Sequence, residues 1–138
     1  MNMELVADTN VIVAAILRDG LTRRLIFNPE LKLFAPKYVW EELREHRKEL
    51  VGKIGLDEQD YEEAVKLIFS NISIIEYKTC KKFEAQACSI SPDADDWPFL
   101  AVALWKGATL WSNDKRLKQQ DEVEVCSTAE LFKRISRR

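Results

Sequence analysis

Five short apolar runs punctuate this chain: Leu5-Val6-Ala7, Leu33-Phe34-Ala35, Ile72-Ser73-Ile74-Ile75, Thr109-Leu110-Trp111 and Val123-Glu124-Val125-Cys126. Each is too short for a helix and rich in residues that suit a strand. The stretches between them carry helical periodicity. Val11 to Leu17 is apolar on all sides, which predicts a buried helix. Tyr61, Ala64, Val65, Ile68 and Phe69 form one face of a helix starting near Asp57. Val39, Leu43, His46 and Leu50 mark the inner face of a helix starting near Tyr38. Trp97, Leu100, Ala101 and Leu104 mark another, with Gly107 placed to stop it. Ser127 and Glu130 are spaced as a capping box for a last helix carrying Leu131, Phe132 and Ile135. Apolar strands alternating with helices predict a parallel sheet covered on both faces.

The length of 138 residues and the 46% hydrophobic content fit one ordered domain over residues 1–138. No run is long and apolar enough to span a membrane, so no membrane partner is expected. The chain opens on a strand pattern rather than a signal peptide, so a cytoplasmic location is expected. The three cysteines Cys80, Cys88 and Cys126 lack CxxC spacing and are read as reduced thiols. The formal net charge of −2 excludes a general nucleic-acid coat protein, though bases can still cluster beside an acidic site.

The candidate chemistry lies in four acids that border apolar sequence: Asp8, Glu42, Asp96 and Asp114. Buried carboxylates need a partner, a hydrogen bond or a metal. Asp8 follows the first strand, and Asp114 follows Trp111-Ser112-Asn113 in the same manner. Ligands of open α/β sheets bind at the carboxyl ends of strands. Either acid could equally be a helix cap. Asp96 stands at a helix start beside Asp93 and Asp95, three acids that repel one another unless a cation is near or they splay into water. At about 100° per residue, Glu42 lies some 60° off the inner stripe of its helix, whereas Glu41 and Glu45 point further outward. Glu49, Glu62, Glu63 and Glu84 read as solvated. His46 is expected on the buried face, as a core residue before a ligand. With a lone histidine and no cysteine cluster, an acidic pocket points to a hard cation such as Mg²⁺ or Mn²⁺.

These motifs together resemble the PIN-domain family of nucleases, which includes the toxins of many toxin–antitoxin pairs. The matching segments are Val6-Ala7-Asp8-Thr9-Asn10-Val11, Pro36-Lys37-Tyr38-Val39-Trp40-Glu41-Glu42-Leu43, Asp93-Ala94-Asp95-Asp96-Trp97-Pro98-Phe99-Leu100-Ala101-Val102-Ala103-Leu104 and Leu110-Trp111-Ser112-Asn113-Asp114. They span residues 5 to about 117, and Ser112 stands where the family often has threonine. The resemblance implies a three-layer α/β/α sandwich with a parallel sheet of about five strands. It also implies an RNA-cleaving, metal-dependent hydrolase in which Asp8, Glu42, Asp96 and Asp114 are catalytic. Asp8, Asp96 and Asp114, joined by Asp93, would bind Mg²⁺ or Mn²⁺; Thr9, Asn10 and Ser112 would support them. An antitoxin and a homodimer are the implied protein partners, and an exposed member of the four tryptophans would suit such an interface. Lys37, Lys115, Arg116 and Lys118, with Arg18, Arg23 and Arg24, are the bases placed to meet RNA phosphates.

Two other readings compete. One keeps the fold as a catalytically silent binding module, against which four intact acids argue. The other is a different Mg²⁺-dependent phosphoryl-transfer enzyme. A phosphatase of that type needs a second acid two residues after the first, where this chain has Asn10. A receiver-like order of acids and lysine is missing, and no Gly-x-x-x-x-Gly-Lys pattern occurs.

Overall fold

The computed structural model of the chain describes residues 3–55 and 57–137. Five parallel strands form one sheet in the order β3-β2-β1-β4-β5. They are β1 (Met3–Ala7), β2 (Leu31–Pro36), β3 (Ile72–Ile75), β4 (Thr109–Trp111) and β5 (Val125–Cys126). The helices are α1 (Thr9–Ile16), α2 (Gly20–Ile26), α3 (Tyr38–Glu45), α4 (Arg47–Ile54), α5 (Glu58–Phe69), α6 (Tyr77–Cys80), α7 (Glu84–Ile90), α8 (Trp97–Lys106) and α9 (Thr128–Ser136). Short 3₁₀ turns cover Lys81–Phe83 and Lys115–Gln119. The result is the expected α/β/α sandwich.

Burial explains why the strands read as unbroken apolar runs. Leu5, Val6 and Ala7 of the central strand are fully inaccessible, because helices cover both faces of a parallel sheet. On one side α8 packs over β1, β2 and β4, with α7 behind it. It is buried well beyond its predicted stripe: Phe99, Val102 and Ala103 are inside as well. Elsewhere α1 packs against α2, α3 and α5. Gly107 ends α8 in the left-handed conformation (φ 69°), where any Cβ would be strained. Among the described residues no helix is long and apolar enough to cross a membrane.

Four local expectations differ from the structure. The helix from Tyr38 does not continue to Leu50 but breaks at His46 (φ −102°, ψ 10°), which ends α3 and starts α4. The bend keeps Val39, Leu43 and Leu50 in the core and turns His46 outward, with its Nδ1 3.5 Å from Glu49. Leu17 lies past the end of α1 and is exposed, and Phe132 of α9 is exposed as well. β5 is also shorter than the apolar run. The Gln120 side chain binds both the N–H and the carbonyl of Val123 at 2.8 Å and holds that residue in a loop.

The strand order places the topological switch between β1 and β4. The chain builds outward from β1 through β2 to β3, then returns to the other side of β1. Crevices outside such switch points are the usual ligand sites of open α/β sheets.

A candidate acidic site at the switch point

Asp8 and Asp114 follow the carboxyl ends of β1 and β4, two neighbouring parallel strands in which Ala7 pairs with Trp111. Asp8 is the N-cap of α1 and its Oδ1 accepts the Val11 N–H at 2.9 Å. Asp114 likewise caps the following 3₁₀ turn, accepting the Arg116 N–H at 3.0 Å. The capping alternative therefore holds for both acids. Ser112 is buried, and its hydroxyl accepts the Asp114 N–H at 3.1 Å. Asn113 and Trp111 pin the strand end from behind. Trp111 Nε1 and Asn113 Nδ2 both donate to Thr128 Oγ1, at 3.0 and 3.1 Å, and Thr128 N–H donates to Asn113 Oδ1 at 2.8 Å.

Asp96 behaves differently. It stands at the N-cap of α8 but its side chain caps nothing, and its Oδ2 is buried without a hydrogen-bond partner. A buried carboxylate oxygen left unsatisfied costs roughly 1–3 kcal/mol or more. Burial pushes this carboxyl up to about 6, and the negative charges of Asp93, Asp114 and Asp8 add to the effect. Burial likewise raises Asp8, opposed by hydrogen bonds from Ser112 and Val11 and reinforced by Asp114. The four aspartates are thus close enough to sense one another. Asp93 also shapes its own loop, accepting the Asp95 N–H at 3.1 Å.

Glu42 joins from α3. Thr9 Oγ1 donates to its Oε1 at 2.5 Å, linking it to the residue after Asp8. Burial raises the Glu42 carboxyl, and the charges of Asp95 and Asp8 contribute in the same direction. Glu42 is half-buried, whereas Glu41 and Glu45 are exposed, in keeping with its border position on the helix. Asn10 is exposed on the first turn of α1.

Arg116 is the group that the sequence placed least well. It was expected to face RNA, yet its Nε and Nη2 grip Asp114 at 3.2 and 2.8 Å, and Nη2 lies 3.8 Å from Asp93. This guanidinium holds Asp114 below the usual carboxylate range. It pairs with two acids of the cluster. Among the described residues no three His, Cys, Asp or Glu side chains draw together tightly enough to form a ready metal cage.

The other expected bases are unevenly free. Lys37 lies 3.5 Å from Glu76, and Lys118 is bonded to Glu130. Arg23 turns inward, its Nε donating to the Ala15 carbonyl at 2.6 Å. Lys115, Arg18 and Arg24 are exposed. Trp111 is fully buried and Trp40, Trp97 and Trp105 are half-buried, so none of the four is fully exposed. Sequence reasoning missed Tyr38, which approaches Asp95 at 3.4 Å and whose phenol is pushed up to about 12 by burial and by Glu42 and Asp95. Its position one turn before Glu42 was the available signal.

A family model described as PIN domain matches residues 6–135. No curated protein is significantly similar. Among solved structures, VapBC2 from Rickettsia felis, bound to a DNA fragment from its promoter, aligns with TM-score 0.71 at 17% identity. The alignment covers 91% of this chain and 98% of that one. PAE2754 from Pyrobaculum aerophilum gives TM-score 0.70 at 17% identity, covering 99% and 91%. VapBC-1 from nontypeable Haemophilus influenzae gives 0.62 at 15%, covering 92% and 99%.

Proposed function

The chain belongs to the PIN-domain family, and from that premise we propose that it is a divalent-metal-dependent endoribonuclease. The observation that supports the reading is the orphaned, buried Asp96 oxygen, on a carboxyl that feels the charges of Asp93, Asp114 and Asp8. Such an arrangement is costly for a protein that binds no cation. Carboxylate oxygens suit Mg²⁺ or Mn²⁺. Asp8, Asp96 and Asp114, with Asp93, are the residues that would hold the ion, and the Arg116 guanidinium would give up Asp114 to it. A bound ion of this kind makes water more acidic and offsets charge on the scissile phosphate.

The protein's own groups orient the reaction. Thr9 fixes the rotamer of Glu42, and the raised basicity of Glu42 suits its Oε atoms to receive the proton of attacking water. Ser112 and the Val11 N–H hold Asp8 in place. Hydrolysis adds water across the P–O3′ bond: the water oxygen stays on phosphorus, and the departing 3′ oxygen takes a proton. The products are a 5′-phosphate and a 3′-hydroxyl. Lys115, exposed beside Asp114, is placed for backbone phosphates, with Lys118 available once released from Glu130. We further propose that the chain is the toxin of a toxin–antitoxin pair, restrained by an antitoxin and working as a homodimer; the VapBC names of two structural neighbours support the antitoxin part of this reading.

The direct test is cleavage of a labelled oligoribonucleotide with and without Mn²⁺, comparing the parent with Asp8→Asn. Cleavage that needs the metal and is lost in a folded variant supports the reading; equal cleavage by both proteins contradicts it.

A further inference from the structure

Beside the acidic site lies a second cavity, of about 410 Å³. It opens at the carboxyl ends of β2 and β3, and three of its lining side chains are the aromatic Tyr38, Tyr77 and Trp97. Tyr77 and Trp97 meet edge to face, with ring centroids 6.0 Å apart and planes at 78°. The Tyr77 hydroxyl is bonded to Glu84, which holds the ring in place although it is about half exposed. This wall is continuous with the acids. Trp97 follows Asp96, and Tyr38 binds Asp95 while standing one turn before Glu42.

We propose that this aromatic corner receives an unpaired nucleobase of single-stranded RNA, next to the phosphate being cut. The inference rests on the ribonuclease reading for its setting. Ligand cavities commonly measure roughly 300–1,000 Å³, which leaves ample room here for one base. Two rings set at nearly a right angle offer a face for stacking and an edge to limit sliding, and any base has a π-face to supply. The charges on the rim select the base over the backbone. Glu41 and Glu76 stand there with a lone Lys37, which already lies 3.5 Å from Glu76. That rim repels a phosphate and leaves a neutral ring as the favoured guest. A base seated here would fix the register of the strand, so that the adjoining phosphate falls over Asp96 and Asp8.

The test uses 2-aminopurine, placed in turn at each position of a short oligoribonucleotide, with Ca²⁺ in place of Mg²⁺ to hold the complex. Stacking on Trp97 and Tyr77 quenches the probe at a single position beside the cleavage point. Tyr77→Ala and Trp97→Leu, each checked for folding by circular dichroism, should remove that quench and weaken binding roughly 5- to 100-fold. Because Trp97 is half-buried, Tyr77→Ala alone decides the matter if Trp97→Leu fails to fold. A quench spread evenly along the strand, or one that survives Tyr77→Ala, overturns the proposal. Cleavage of the same oligonucleotide with Mn²⁺ is scored separately. A protein that cleaves without the positional quench refutes the base pocket alone. One that shows the quench but never cleaves refutes the nuclease reading and retains the pocket as an RNA-binding site.

Discussion

Replacing Asp96 by asparagine removes a charge and almost no volume, so it isolates the electrostatic strain of the acidic site. The carboxyl sits at about 6 in the folded protein against 3.8 for an ordinary aspartate. At about 1.4 kcal/mol per pH unit the gap corresponds to about 3 kcal/mol. Partial solvent access cuts this to about 1–1.5 kcal/mol. The sign follows from linkage. The folded state holds the proton more tightly than the unfolded state, so this group's favourable contribution is complete below pH 3.8. It fades as pH rises and is gone above about pH 6. At pH 7.5 without metal, Asp96→Asn should therefore be more stable than the parent, by roughly 3–6 °C in Tm for a chain of this size. The gain should vanish near pH 4, where the parent is protonated. Thermal unfolding by circular dichroism across this pH range, in chelator, measures both points. A variant less stable than the parent at pH 7.5, or a gain that persists at pH 4, refutes the account of Asp96 as an uncompensated buried charge.

Three further outcomes follow from the same geometry. Arg116→Gln removes the guanidinium bound to Asp114 and Asp93, so calorimetric titration should show tighter Mn²⁺ binding; weaker binding would make Arg116 an aid rather than a competitor. Thr9→Val deletes the donor to Glu42 and should cost about 1 kcal/mol in urea unfolding while slowing cleavage; an unchanged rate would separate Glu42 orientation from catalysis. Trp111→Phe should cost about 1–3 kcal/mol, because it opens space in a fully buried site and loses the bond to Thr128; a smaller loss would mean that Asn113 alone anchors the end of β4.

All five strands were legible in the sequence, because a parallel sheet covered on both faces must be written in continuous apolar residues. The positions of Asp8 and Asp114 were legible for the related reason that strand ends break such runs. The capping box at Ser127 and the stop at Gly107 were readable as local chemistry. What escaped the sequence depends on contacts between distant segments. The break at His46 is invisible to periodicity, since Leu50 returns to the core only by way of a bend. Nothing local shows that Asp96, placed where a cap belongs, leaves an oxygen unbonded. Nor does the Lys115-Arg116-Leu117-Lys118 run reveal that Arg116 turns back onto Asp114 while Lys115 faces solvent and Lys118 pairs with Glu130. The edge-to-face meeting of Tyr77 and Trp97 joins segments twenty residues apart and exists only in the fold.

The central claim is that these acids form a metal-dependent hydrolytic site for RNA. Its most direct test is end-group analysis of RNA incubated with Mn²⁺ and either the parent or Asp96→Asn. The account predicts fragments with 5′-phosphate and 3′-hydroxyl ends from the parent alone. Fragments of the same kind and yield from the variant, or cyclic phosphate ends formed without metal, would contradict it.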